Sequence, residues 1–495
     1  MNFKKNQPYI IWILFALTLL RLFFGNAAFP LFNNVDEHAH FDTVVKYSAG
    51  NLPNPRNVKF DLESAKYIVL YGSPEYITRP ENYTSKEMPL PNWKTLNDIS
   101  QETLDAKFTE WTSTKNHEVF SPPIYYSIQG AWFSFGKLLG LDGGYLLYWL
   151  RFVNVFVFLG LFWITYIALR KIFPEDLVLQ TSVLTLLAFF PQDVFYSINS
   201  DTFSPLLCFS AFFLLIELYF DDKSFMNHIL IGVLASLAFL VKIANLPLFA
   251  IIGLILLLKA KNILIQKKDI GQLLKLFSIV VTISLPVGLW FAWNLQTLGD
   301  LTGTAQKIKD LDWTLKPISK MFNHPIFTFD GIAYFFPDLF KTFWRGEFVW
   351  GMRAMATKNS DLFYSSSILF VLISFVNTVA AKKDYSDKHR FLNLMSFLYL
   401  FFSIGFLILL SMMYDFGKCW YPSQARPFFT SGRLMLGAMI PFLFLYVDGL
   451  RVVLRKISKR INLLHIVIAI IIFISQYEII SLITVAKSKY NLFHL

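Results

Sequence analysis

The chain has 495 residues, of which 55% are hydrophobic, 18% aromatic and only 16% charged. Its apolar residues come in long unbroken runs, a composition that excludes a soluble globular protein and points to one living in a bilayer. The net charge of +11 then reads as Lys and Arg anchoring cytoplasmic loops rather than as a nucleic-acid surface. Two cysteines, Cys208 in an apolar run and Cys419 in a polar loop, give neither a disulfide framework nor a zinc spacing.

A helix crossing the membrane needs about 20 mostly apolar residues. In chain order the candidate spans are roughly 9–25, 145–169, 177–197, 202–220, 227–246, 247–260, 273–294, 361–381, 391–413, 434–450 and 463–484. The first has a basic start and small residues at Ala27 and Ala28, as a signal peptide would. Its apolar run is long for that, so we read it as a retained anchor. Pro247 separates two neighbouring runs into a tight helical hairpin.

With Lys4 and Lys5 in the cytoplasm, the loops ALRKIFPED (Arg170, Lys171), DDKS, KAKNILIQKKDIGQLLK, AKKDYSDKHR and RVVLRKISKR all fall on the cytoplasmic side. These are the basic loops of the chain, as the positive-inside rule requires. The stretch PPIYYSIQGAWFSFGKLLG, 122–140, is apolar enough to cross. A lone crossing there would turn every later basic loop outward, so parity lays it along the outer interface or folds it back, which its Tyr and Trp content suits.

The expectation is an all-α polytopic protein of the plasma (inner) membrane with about 11 transmembrane helices, amino end inside and carboxyl end outside. Interfacial helices belong in the first outer loop, 26–122; further outer loops are 295–360 and 415–433. In domain terms, 1–294 is the catalytic transmembrane module, 295–360 an outer loop and 361–495 the C-terminal helices.

The outer face concentrates the chemistry. NNVDEHAHF, 33–41, opens just past the first span. Asn34 can cap a helix whose first turn holds Asp36 and Glu37, where the helix dipole favours anions. Phe41, Val44 and Val45 follow at i, i+3 and i+4, giving a short amphipathic helix able to lie on the bilayer. Adjacent helical residues point about 100° apart, so one acid can face a reacting group while the other braces it. Asp36 and His40 share a face at i, i+4. A divalent metal held by Asp36, His38, His40 and His117 is conceivable, but no recognised ligand spacing supports it and no cofactor is expected.

Other polar groups belong to the same side. SINSD places Asn199 and Asp201 at a helix junction, and FLVKIANLP places Lys242 and Asn245 near an outer helix end. An ionisable group so close to hydrocarbon is functional by default. TFWRGEFVWGMRAM supplies Arg345, Glu347 and Arg353, and QARPFFTSGRL supplies Arg426 and Arg433. Each arginine alone is better read as an interfacial anchor; together they make an outward-facing cavity with one acid cluster and several cations beside lipid. A carboxylate base with cationic clamps suits transfer from a phosphate-linked donor: the base takes a proton from an acceptor hydroxyl while Lys and Arg hold the phosphate.

An Asp-Glu pair in the first outer loop after a single helix resembles the membrane glycosyltransferases of the GT-C fold, among them protein O-mannosyltransferases and lipid A aminoarabinose transferases. SPPIYY resembles their HPPLYY-type segment, LRFVNVFVFLGLFWITYIALRKIF the following span, and PQDVFYSINSD the stretch with an Asn-Asp pair at an outer helix end. DEHAHF, FWRGEFVW and GRLMLGAMIP are similar to DEPAHF-, FWGxFGW- and GRYLLPALP-like segments of a bacterial group in that superfamily. Ser121 and His38 depart from its usual residues.

The resemblance covers residues 1 to about 450. It implies an inverting transferase that moves a sugar from a polyprenyl-phosphate donor to a lipid, glycan or protein acceptor at the outer face, in the cell envelope. Asp36 matches the catalytic acid and Glu37 its supporting neighbour; Tyr125 and Tyr126 join His40, Asn199, Asp201, Lys242 and the four arginines as binding residues. Membrane lipids are the expected surroundings and nucleic acid is not a partner. Two competing readings are a lipid or glycan transporter, with polar groups at mid-membrane on broken helices, and an outward-facing glycan polymerase or ligase relying on loop arginines. Glu217 and Glu478 are the acids without a place in the transferase reading.

Overall fold

The computed structural model describes residues 3–33, 36–52, 54, 58–221, 224–266, 269–380, 386–419, 421–458 and 461–495. Asn34, expected as a helix cap, lies outside them, as do parts of the basic loops at 222–223, 267–268, 381–385 and 459–460. The described residues are helical almost throughout. Helix α1 is Phe3–Ala28, followed by α2 (Glu37–Ser48), α3 (Leu62–Tyr71), α4 (Gln101–Ser113) and α5 (Pro123–Leu138). A long bundle follows: α6 (Gly143–Ile172), α7 (Leu177–Ala188), α8 (Ser204–Phe220), α9 (Phe225–Val241), α10 (Pro247–Gln266) and α11 (Ile270–Leu298). After α12 (Thr304–Asp310), α13 (Ile318–Met321) and α14 (Phe329–Arg345) come the last bundle helices: α15 (Lys358–Ala380), α16 (Asp387–Met413), α17 (Met439–Ile457) and α18 (Leu463–Ala486). Four two-residue strands pair antiparallel: β1 (Thr314–Leu315) with β4 (Tyr414–Asp415), and β2 (Val349–Trp350) with β3 (Arg353–Ala354).

Local chemistry sets the helix ends. Asp176, Asp269, Thr328 and Ser386 each accept a first-turn backbone N–H through the side chain, the usual stabilisation of a helix start. Nine stretches among the described residues are long and apolar enough to span a membrane, and α7 and α9 are shorter apolar helices. Together they coincide with the eleven expected spans. Most boundaries shift by a few residues, and two spans stop short as helices. The expected spans 177–197 and 227–246 end as helices at Ala188 and Val241, because Pro191, Gln192 and Asp193 in one case and Lys242 in the other turn the backbone into irregular chain inside the bundle.

Irregular backbone at such depth must find partners within the protein, and it does. Asn154 of α6 donates to Ser197 O at 2.7 Å and Phe195 O at 3.2 Å, while Gln192 donates to Thr342 O and Phe343 O at 3.0 and 2.8 Å.

The bundle has two chemically distinct ends. At one, Arg451 pairs with Asp176, Lys171 with Glu217, and Lys388 with Asp221. At the other, segments far apart in sequence join: Lys115 meets Asp310 at 2.7 Å, Arg79 donates to Gly351 O at 2.7 Å, and Tyr490 donates to Pro89 O at 2.9 Å. Helix α5 touches this second end at both of its own ends, through Tyr126 against His40 and Lys137 against Glu63 of α3.

One expectation about α2 needs correction. Phe41, Val44 and Val45 are fully or nearly fully buried, with Phe41 packed on Tyr67 and Phe133. The apolar stripe faces α3 and α5 rather than lipid, because the first outer loop folds into a cap with its own core.

A candidate active site around Asp36

Asp36 precedes α2 in a left-handed conformation, φ 62 and ψ 6. A non-glycine residue there carries strain that the surroundings must hold, and Asp and Asn are among the residues that tolerate it best. Its neighbour does the holding. Glu37 is fully buried; Arg151 of α6 reaches it twice, Nε to Oε1 and Nη2 to Oε2, each at 2.7 Å. The same carboxylate accepts the backbone N–H of Phe32 at 2.8 Å and of Ile198 at 2.9 Å. Arg151 also donates to the carbonyls of Phe29 and Pro30. The two acids therefore diverge: Glu37 clamps the strained turn to the bundle, and Asp36 turns toward a cluster of charged side chains.

There Asp36 Oδ2 accepts from Arg433 Nη2 at 3.0 Å, and Oδ1 lies 3.3 Å from His117 Nε2. Arg433 uses its remaining faces on two more acids, Nη1 to Asp201 Oδ2 at 3.0 Å and Nε to Glu347 Oε2 at 3.1 Å. Lys242 stands 3.1 Å from Ser200 Oγ and 3.6 Å from Asp201 Oδ1. Lys307 of α12 pairs with Glu118, which also accepts from Ser121 and, at 3.4 Å, from Tyr126. Asp201 is 1% exposed and Arg433 11%, whereas Asp36 keeps 27% and His117 23%. Asp201 and Glu118 are thus the buried members of the cluster, while Asp36, His117 and Lys307 keep its open side.

The electrostatics follow. Burial alone would raise the Asp36 carboxyl, but the His117 hydrogen bond and charge, then the Arg433 guanidinium, hold it well below the usual carboxylate range. Glu118 is likewise held well below its usual range against burial, by Lys307 and then Lys242. Burial pushes His40 down to about 3, so it is neutral at physiological pH.

Asp36, His117 and Glu118 bring one ligand atom each within 4.8 Å of one another, the one such group among the described residues. Within this group Asp36 Oδ1 faces His117 itself, while Asp36 Oδ2 accepts from Arg433 and Glu118 accepts from Lys307 and Ser121.

Of the residues singled out in the sequence, Asp36, Asp201, Lys242 and Arg433 converge. Asn199 supports them indirectly, its Oδ1 accepting from Asp201 N at 2.9 Å. His40 turns its Nδ1 to Tyr126 OH at 2.7 Å rather than toward the Asp36 carboxylate, and Tyr125 packs edge-on against Phe203. His38 stacks on Phe60. The other arginines are engaged elsewhere: Arg345 with Asp361 at 2.8 Å, Arg426 exposed over the Tyr334 ring, and Arg353 exposed on a two-residue strand. Glu217 is paired with Lys171 at the opposite end, and Glu478 with Arg21 and Tyr196 at 2.7 and 2.8 Å. Sequence reading left Glu118, Lys307 and Arg151 without a role. The one available signal was Arg151, an unaccompanied cation inside an apolar run, which requires a buried acid.

The RGEF turn positions the third acid. Gly346 has φ 80, and a Cβ there would sit 1.9 Å from Asp193 Oδ1, so only glycine brings Asp193 onto the Phe348 N–H and aims Glu347 at Arg433.

The family model for "Predicted membrane protein (DUF2142)" aligns with residues 22–419, a stretch carrying Asp36, Glu37, His117, Asp201, Lys242 and Glu347. The chain belongs to this family. Arg433 lies beyond the aligned stretch. No curated protein matches the chain.

Among solved structures, the chain is similar to the oligosaccharyltransferase of Archaeoglobus fulgidus. A complex of that enzyme with Zn and sulfate aligns at TM-score 0.40 and 12% identity, covering 96% of this chain and 53% of that one. The same archaeal protein with an inhibitory peptide and a dolichol-phosphate gives 0.39 and 12%, with coverages of 99% and 56%. A form tethered to an acceptor peptide gives 0.40 and 12%, with 99% and 55%. The chain thus spans little more than half the length of these proteins.

Proposed function

We propose that this protein is a membrane glycosyltransferase that moves a sugar from a polyprenyl-phosphate donor to an acceptor hydroxyl at the outer face, with inversion. The observation that carries the reading is Asp36: a partly open carboxylate held ionised within a charged cluster that brings together three cations, Arg433, Lys242 and Lys307. The acceptor hydroxyl approaches Asp36 from the open side. As its oxygen bonds to the sugar's anomeric carbon, the bond from that carbon to the phosphate breaks and the hydroxyl proton passes to Asp36. A carboxylate so far below its usual range is a weak base, so it takes the proton late, once bonding has made the oxygen acidic.

Lys242 and Lys307 are assigned to the charge developing on the departing phosphate. Arg433, occupied by three acids, is assigned to positioning Asp36 rather than to gripping the donor. Glu37 is its partner in that task, through Arg151. The site draws on all three sequence segments, so the division at 294 and 360 is one of chain order rather than of independent units.

The outer-face assignment rests on the basic residues Lys171, Lys388 and Arg451 gathering at the end away from Asp36. The test is transfer of labelled sugar from polyprenyl-phosphate donors in membranes with and without this protein. Transfer that depends on it supports the reading; donor export without a new glycosidic bond favours a transporter instead.

A further inference from the structure

The loop between α11 and α15 exposes six large apolar side chains within a short stretch: Leu315 at 63%, Ile318 at 74%, Phe322 at 68%, Phe327 at 55%, Phe329 at 85% and Ile332 at 47%. Isolated exposed apolar residues are ordinary, but a contiguous set marks an interaction surface. The set is not loosely held. Strand β1 pairs Leu315 with Tyr414, and Lys316 N donates to Met413 O at 2.8 Å, fixing the stretch to the end of α16. His324 Nε2 bonds Pro427 O at 2.9 Å, and Ile326 is buried. Helix α14 turns Phe335, Leu339, Phe340 and Phe343 inward and leaves Phe329 and Ile332 outside.

What covers this face is indicated by its continuity. Leu409 on α16, one turn before Met413, is 47% exposed. The apolar set thus carries the exposed apolar surface of α16 past the end of that helix. Lys316 and Lys320 alternate with it and have no acidic partner among the described residues, the arrangement of an interfacial segment whose lysines reach up to headgroups.

We propose that residues 315–332 form a wedge inserted into the leaflet on the Asp36 side, with its apolar side chains among acyl chains and Lys316 and Lys320 at headgroup phosphates. This depends on the chain being a membrane protein and not on the transferase reading. The wedge is joined to the site's framework: Thr342 of α14 accepts Gly432 N at 3.1 Å, beside Arg433. Membrane depth and site position are therefore set by one helix.

The experiment places nitroxide labels at Phe322→Cys and, separately, Ile318→Cys in a Cys208→Ala, Cys419→Ser background of the full chain in lipid nanodiscs. Leu369→Cys on α15 is the lipid control and Thr109→Cys on polar α4 the water control. Collisions with molecular oxygen and with a water-soluble nickel chelate are compared. The wedge requires oxygen collisions as frequent as at Leu369, together with loss of the nickel collisions seen at Thr109. Nickel collisions equal to those at Thr109 overturn it, as does exclusion of both reagents, which would mean that a second protein copy covers the face.

Discussion

Asp36 and Arg433 stand 397 positions apart in the chain and 3.0 Å apart in the fold. The pair closes the molecule: it ties the start of the first outer loop to the start of α17. Arg433 holds Asp201 and Glu347 in the same grip, so one guanidinium balances three acids, a geometry that a lysine's single compact charge does not reproduce.

Arg433→Ala is therefore expected to act on the fold before it acts on chemistry. It leaves the nearly buried Asp201 without its closest cation, and breaking a buried pair from one side costs about 3–5 kcal/mol. Thermal unfolding in detergent should show a marked drop in Tm, with Arg433→Lys intermediate. An unchanged Tm in Arg433→Ala would show that the cluster bears no structural load.

Glu37→Gln and Asp36→Asn, adjacent and chemically alike, should part company. Glu37 sits in a closed set of four donors, two from Arg151 and two from backbone N–H groups. Losing its charge destabilises by about 3–5 kcal/mol and lowers the yield of monodisperse protein. Asp36→Asn keeps a residue type that accepts the left-handed turn and sits on the more open side of the cluster, so it should still fold, with a smaller fall in Tm than Glu37→Gln. Equal stability of the two variants would contradict this division of labour.

Acid sensitivity has a definite sign. His40 has an ordinary value of 6.5 and a folded value of about 3, so between those limits the unfolded chain binds the proton that the folded one refuses. Stability is then fully present above pH 6.5 and falls on acidification toward pH 3, with a slope of up to about 1.4 kcal/mol per pH unit. Asp36 and Glu118, both depressed, contribute stability that is present above the ordinary carboxylate range and lost as pH falls below it. Tm measured against pH should decline less steeply in His40→Gln than in wild type over pH 6.5 to 4; parallel curves would remove His40 as a cause.

Topology is open to chemical labelling. Ile265, exposed near the end of α10, should as Ile265→Cys in the cysteine-free background react with an impermeant maleimide only after permeabilisation. Thr109→Cys should react in intact cells. Labelling of position 265 in intact cells would invert the orientation.

Much of this was legible in the sequence because its signals are local. Long apolar runs give the eleven apolar helices, since each span is decided by its own composition. Asp36, Asp201, Lys242 and Arg433 stood out because a charge beside hydrocarbon is conspicuous wherever it falls. What stayed hidden was pairing. Arg345, Arg426 and Arg433 look alike in sequence, and only long-range packing gives Arg433 the three acids while sending Arg345 to Asp361 and Arg426 over Tyr334. Glu118 sits in a polar loop and Lys307 on the short polar helix α12, where charge is ordinary, so nothing local marks their meeting. The burial of α2's apolar stripe was equally out of reach, because a stripe facing protein and a stripe facing lipid have the same period.

The central claim is that Asp36 receives the acceptor's proton. The direct measurement is transfer of radiolabelled sugar from a polyprenyl-phosphate donor in membranes holding matched amounts of wild type and Asp36→Asn. The substitution preserves shape, turn conformation and one Arg433 contact while removing the base. General-base contributions are typically about 10²–10⁴-fold, so initial rates should fall by roughly two to four orders of magnitude in protein that is still folded. A folded Asp36→Asn protein that transfers sugar at close to the wild-type rate would contradict the account.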